Sequence, residues 1–344
     1  MAAYTELNKS FVQELAEDYS FGRVTKYAGI PEGSINSNYA VETGRGRFLI
    51  RIDEVKGESE VRRELDLLSF LRKHSFPCPH PLQDRSGRFY RDYKTKCTSV
   101  FRYYDGRVIN PERLRASQLE TIGRTLADLH TIGKGYKKGI DNRFSFERVA
   151  DLYLGVRDRL PSYFRKITRT LEDEIDYLTQ YLENKLPKGI IHGDLFADNL
   201  LFRGEKLTAV LDFDAACRGK FIFDIATAVN ALCFVDGNYS LERFLQLLAG
   251  YESVRTLSLA EWDAFPNELR YSSLRFTVTR LHDFFLRPVD GDQRVHKDFR
   301  EFYERLRVLR RETEGGMEPL LMAMATGYDY RKYQKVKADE RVKA

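Results

Sequence analysis

Cysteine is scarce. The four in 344 residues are Cys78, Cys97, Cys217 and Cys233, and no two form a C-x-x-C pair. Their spacing suits neither a zinc site nor a disulfide framework, and it predicts reduced thiols in a cytoplasmic protein. No apolar run approaches the roughly 20 residues of a membrane-spanning helix. The N-terminus, MAAYTELNKSF, lacks the basic-then-apolar order of a signal peptide. An excess of one charge is missing too: 56 Lys and Arg face 51 Asp and Glu, leaving +5. Without a basic stripe, neither nucleic acid nor a membrane surface is the expected partner. The densest basic stretch, RKYQKVKADERVKA at the end, reads as a solvated tail. A G-x-G-x-x-G loop is absent as well, so a glycine fingerprint cannot announce nucleotide binding.

The chain is 42% hydrophobic and 31% charged, which is ordinary for a globular protein, and it is long enough for two lobes. Residues 5–19 carry a helical pattern. SNYAVET and RFLIRID, separated by GRG at 44–46, predict a strand–turn–strand hairpin. In 57–73 the residues Val61, Leu65, Leu68 and Leu71 recur at helical spacing. PCPHP at 77–81 breaks that helix, and 96–106 reads as a further strand ending at Asp105-Gly106. Beyond it, helical patterns dominate at 115–132, 164–186, 240–253, 258–286 and 297–312. Two short β runs, 199–203 and 207–213, interrupt them. Strands segregated from helices predict an α+β chain. The expected organisation is a strand-rich N-terminal lobe over 1–105, a mainly helical C-terminal lobe over 106–312, and a tail over 313–344. A hinge is expected near 103–107, with a nucleotide between the lobes.

The chemistry is concentrated at 190–199, IIHGDLFADN. An apolar strand runs into a turn holding a histidine, two aspartates and an asparagine, and carboxylates gathered this way usually hold something charged. Phosphoryl transfer from ATP needs oxygen ligands for magnesium, a carboxylate to receive the acceptor's proton, and cations for the phosphates. His192, Asp194 and Asn199 have the H-x-D-x-x-x-x-N spacing. Asp194 is therefore the expected base and Asn199 a metal ligand, with His192 supporting the loop. Asp212, ending the apolar run AVLDF, is the second expected Mg2+ ligand, brought back to Asn199 by a hairpin turning at 203–206. On the N-terminal side, Arg51 in RFLIRID stands where protein kinases carry a lysine. Glu64 is its expected partner, with Glu60 one turn earlier as the rival. In EGSINSNY (32–39), Asn36, Ser37 and Asn38 are small or amide side chains able to approach phosphates.

HGDLFADN together with LDFDAAC resembles the aminoglycoside phosphotransferase and choline kinase superfamily. The stretches from AVNALCF through RFTVTRLHDFF to HKDFREF are most similar to its bacterial homoserine kinase branch. The resemblance spans about residues 5–311. It implies a two-lobed protein-kinase-like fold, ATP as co-substrate, Mg2+ as cofactor, and phosphorylation of L-homoserine on the route to threonine. It also implies that Asp224, in FDIA, braces the catalytic loop. Two positions depart from the family pattern: Ala197 replaces a common proline, and Asp214 an aromatic residue.

Homoserine is a zwitterion, so its site should present a cation to the carboxylate and acidic or amide groups to the ammonium. In LRYSSLRFTVTRLHDFFLR, the residues Leu274, Val278, Leu281 and Phe285 form an expected core stripe. Arg275 and His282 lie on one neighbouring face, and Arg280 on another. Arg280 is the first candidate for the carboxylate and Arg275 the second, with Asn230 and His282 as further polar candidates. The alternatives are a kinase of another small alcohol (an amino alcohol, a hydroxylated amino acid or an aminoglycoside) and an inactive nucleotide-binding regulator. Oligomeric state is not readable from the chain.

Overall fold

A computed structural model describes residues 5–30, 36–286 and 297–314. The expected tail, beyond the end of the last helix, and the start of the EGSINSNY loop lie outside them. The described residues divide into two compact units. One holds the chain up to Gly106 with Thr208–Leu211, and the other holds the remainder from Arg107.

The first unit begins with α1 (Lys9–Asp18), whose N-cap Asn8 accepts from the Phe11 amide. The strands β1 (Val24–Ile30), β2 (Ser37–Thr43) and β3 (Gly46–Ile52) follow, then α2 (Glu58–Lys73), β4 (Tyr90–Tyr93) and β5 (Lys96–Arg102). They form one antiparallel sheet in the order β1-β2-β3-β5-β4. The predicted hairpin is β2–β3, with Thr43 paired to Gly46 across a two-residue turn. Phe48, Ile50 and Ile52 alternate inward from β3 and meet Phe11, Val12 and Leu15 of α1 in one core. β1 and β4 were not foreseen. Both are largely exposed or half-buried, and neither has an apolar alternation to betray it.

The second unit runs α3 (Ala116–Gly133), α4 (Phe146–Arg157), α5 (Arg165–Tyr181), β6 (Lys188–Ile191), β7 (Leu200–Arg203), the start of β8 (Lys206–Val210, whose residues 208–210 fall in the first unit), β9 (Cys217–Lys220) and α6 (Phe221–Leu232). The small pair β10 (Phe234–Val235) and β11 (Asn238–Tyr239) follows, then α7 (Leu241–Glu252), α8 (Leu259–Arg280) and α9 (Arg300–Glu314). β6 pairs with β9 and β7 with β8, and these two ribbons carry the turns at 192–199 and 211–216. α6 is buried along its whole length, and α8 from Ala264 onward except at Asn267. The expected division of α8 into a core stripe and polar faces is therefore corrected. α4, α5, α6 and α9 all pack on it, so its polar residues are buried with the rest. After Arg280 the helix widens into a π-type turn, Leu281–Phe285, which ends the regular helical spacing before His282.

Candidate active site

β6 ends at Ile191, and the chain turns sharply at Gly193, which has φ 75°. A Cβ there would also sit 2.9 Å from the Ala215 carbonyl oxygen, so the turn requires glycine on two counts. Asp224, in the first turn of α6, holds this corner. Its Oδ2 accepts from the His192 amide and its Oδ1 from the Gly193 amide, both at 2.7 Å. His130 of α3 approaches Oδ2 through Nε2 at 3.1 Å, while its Nδ1 faces the Tyr251 hydroxyl at 2.7 Å. Burial works against charge on Asp224, yet the His130 ring and the amide donors hold its carboxyl below the usual range. Burial pushes the His130 pKa down. A neutral ring fits both bonds, donating from Nε2 to Asp224 and accepting at Nδ1 from Tyr251.

The loop beyond is held by its own polar atoms. The Asp194 amide donates to His192 Nδ1 at 3.3 Å, and the His192 ring is buried edge-on against Phe213. The Asp194 carbonyl accepts from Asn199 Nδ2 and from the Phe196 amide, each at 2.9 Å. These bonds leave the Asp194 carboxylate 23% exposed, with Arg275 Nη1 3.9 Å from Oδ1. With Nδ2 engaged, Asn199 presents its amide oxygen as the atom able to bind a cation. Asn199 stands immediately before β7 and Asp212 two residues after β8, at the two ends of one hairpin. Asp212 adopts a left-handed conformation (φ 58°, ψ 75°), is exposed, and accepts through Oδ1 from the Asp214 amide.

In the first unit, Arg51 of β3 donates to Glu64 Oε1 at 2.7 Å, and Lys56 donates to Glu64 Oε2 at 2.5 Å. Glu64 is thus the partner of Arg51, while Glu60 caps α2 by accepting from the Gly57 amide. Burial opposes the charge on Glu64, but the two cations hold its carboxyl well below the usual range. Lys56 was missed by sequence reasoning. It lies in the β3–α2 connection, where no periodicity marks it, and only its nearness to an Arg–Glu pair reveals it. Asn36 and Ser37 are buried and turned inward. Asn36 Oδ1 accepts from the Glu54 amide, and the Ser37 hydroxyl joins Glu54 and Thr5. Asn38 is half-buried on β2, its Nδ2 3.4 Å from the Asn36 carbonyl.

The polar residues expected around an acceptor are scattered. Arg280 donates to the Asp298 carbonyl and to Glu301, each at 2.8 Å, and lies over the Phe302 ring. Asn230 is fully buried, donating to the Leu269 carbonyl and accepting from the Tyr239 hydroxyl at 2.5 Å. His282 meets Asp283 at 2.6 Å. Of the four, Arg275 is the one that reaches the His192–Asp194 turn, donating to the Gly193 carbonyl at 2.7 Å. Arg280 is engaged in tying α8 to α9.

Among the described residues no helix is long and apolar enough to cross a membrane, and no group of three or more His, Cys, Asp or Glu side chains is placed to hold a metal ion. Comparison with known proteins finds relatives along most of the chain. It is 33% identical over 312 residues to a homoserine kinase of Parvibaculum lavamentivorans, covering 90% of this chain and 96% of that one. A homoserine kinase of Rhizobium meliloti is 31% identical over 313 residues, covering 90% and 95%. Among solved structures, an amicoumacin kinase in complex with AMP-PNP and Ca2+ superposes with a TM-score of 0.67 at 17% identity, over 90% of this chain and 94% of that one. That likeness shows the fold to be the protein-kinase-like one. Residues 26–257 match the phosphotransferase enzyme family, and the chain belongs to it.

Proposed function

We propose that the chain transfers the γ-phosphoryl group of ATP to the hydroxyl of L-homoserine, giving O-phospho-L-homoserine and ADP. The observation that carries this is the near-full-length identity of 31–33% to homoserine kinases, with Asp194 presented on a fixed turn. In the reaction, the homoserine oxygen bonds to the γ-phosphorus as the bond to the ADP oxygen breaks. The hydroxyl proton passes to the Asp194 carboxylate, which later returns it to solvent. Asn199 and Asp212 would hold Mg2+. One amide oxygen and one carboxylate suit an ion that takes its other ligands from phosphates and water. Bound there, Mg2+ supplies neutralisation of phosphate charge. Arg51 and Lys56, aligned by Glu64, are the cations we assign to the phosphates, and Asn38, half-buried near the start of β2, is the amide we assign beside them. Four buried free thiols suit the reducing cytoplasm.

The test is an acceptor panel with Mg·ATP: homoserine, homoserinol, serine, threonine, ethanolamine, choline and an aminoglycoside. Homoserine should give the highest kcat/KM. Homoserinol, lacking the carboxylate, should be about 10- to 100-fold poorer, the worth of one charge-assisted contact. A faster amino alcohol or aminoglycoside would leave the kinase reading standing and remove the homoserine one.

A further inference from the structure

Helix α8 carries three buried arginines, Arg270, Arg275 and Arg280. Arg270 forms a two-pronged ion pair with Glu174 at 2.7 and 2.6 Å, and Arg280 meets Glu301 at 2.8 Å. Arg270 also stacks on Tyr177 and Arg280 on Phe302, but Arg275 differs in having no carboxylate within hydrogen-bond distance. Its guanidinium is held by stacking, 4.2 Å from the Phe144 ring centre and 3.9 Å from that of Phe276. Its Nη1 donates to the Gly193 carbonyl at 2.7 Å, and Asp194 Oδ1 lies 3.9 Å away. Its Nε is buried and makes no hydrogen bond among the described residues. A buried cation set this far from its carboxylate is costly, and here the Gly193 carbonyl and the two ring faces are the contacts that offset the cost.

We infer that Arg275 is a positioning residue for the transfer: it clamps the Gly193 carbonyl and faces Asp194, so that the base keeps one orientation toward the acceptor hydroxyl. Gly193 is the most pliant point of the catalytic turn, and buried charges of opposite sign grip it on both sides. Asp224 takes its N–H, and Arg275 takes its C=O. At 3.9 Å the guanidinium attracts the Asp194 carboxylate without a hydrogen bond to it, leaving both carboxylate oxygens for the substrate proton. The two rings keep the cation at that separation, whereas a free side chain would close onto the carboxylate and block it.

This rests on Asp194 being the base, so the test separates the two claims. Arg275→Lys and Arg275→Gln would be compared with the wild type, singly and in an Asp194→Asn background, with folding checked by circular dichroism. Arg275→Gln should lower kcat about 10- to 100-fold, with KM for ATP and homoserine within about threefold. Arg275→Lys, which keeps the charge, should recover part of the loss. In the Asp194→Asn background neither substitution should lower the residual rate further, since residues acting as a unit are not additive. If Gln does not fold, the Lys variant carries the same comparison. The inference is overturned if kcat is unchanged, if the losses multiply in the double variants, or if KM for homoserine rises while homoserinol is unaffected. The last outcome would make Arg275 a ligand of the acceptor carboxylate. Full activity in Asp194→Asn alone would overturn the base assignment instead.

Discussion

The base role proposed for Asp194 is supported by what its main chain does. Its carbonyl is held by Asn199 and Phe196, its amide by His192, and the residue before it is gripped by Asp224. With the backbone fixed, the carboxylate need not be ordered on substrate arrival. Asp194→Asn keeps the shape and removes the proton acceptor. It should lower kcat by about 100-fold or more while nucleotide affinity changes little, checked by steady-state rates and a fluorescent-nucleotide titration. A variant retaining a third of the wild-type rate would contradict the assignment. The spacing of His192, Asp194, Asn199 and Asp212 was legible in the sequence, because the motif is local and its chemistry limits the residue types. Lys56 and His130 were not. Each reaches its partner, Glu64 or Asp224, through tertiary placement that no spacing encodes.

At the scale of elements, α3 and α7 approach so closely that a Cβ on Gly250 would lie 1.9 Å from the Glu120 carbonyl oxygen, and one on Gly123 would lie 1.8 Å from that of Leu247. His130 rides on α3 and Tyr251 on α7, so this contact sets the distance between two members of the Asp224 network. Gly250→Ala must push backbone from backbone, and it should destabilise by about 3 kcal/mol or prevent folding, read from urea unfolding. Activity should fall with the folded fraction. Arg280 joins α8 to the start of α9, and its expected role at a substrate carboxylate conflicts with those bonds. Arg280→Ala should cost about 1–2 kcal/mol, since Glu301 is half in solvent. The homoserine-to-homoserinol ratio should stay within about twofold, as a neighbouring bond and not a substrate contact is lost. A collapsed ratio would restore Arg280 as the carboxylate ligand. The sequence marked α8 as a helix but not as one buried on nearly all sides, because its arginines read as polar faces and their burial depends on partners elsewhere in the chain.

For the whole molecule, the buried His130–Asp224 pair predicts how stability depends on pH. The His130 pKa is lower in the folded state than the roughly 6.5 of a free imidazole. Below that pH the unfolded chain binds a proton that the native chain refuses, so stability falls as pH drops from about 6.5 toward the folded value. The slope is at most about 1.4 kcal/mol per pH unit. Asp224, whose pKa is depressed, acts in a second and more acidic window: its contribution is present above about 3.8 and lost below it. Urea unfolding of wild type and His130→Gln between pH 5 and 8 should show the first slope in the wild type only. An equal slope in both would assign it to other groups.

The sequence by itself determined the α+β class, the main helices and the catalytic hairpin, because hydrophobic period and turn chemistry act over a few residues. It also marked the groups proposed for the reaction centre, for the same reason. Tertiary structure alone decided which charges meet. Glu64 takes two cations, Asp224 takes His130 from 94 positions away, and Arg275, rather than Arg280, comes to the Gly193 carbonyl from 82 positions away. Those pairings follow from how buried helices pack, and the cost of leaving a charge alone in the interior selects among them only once the chain has folded.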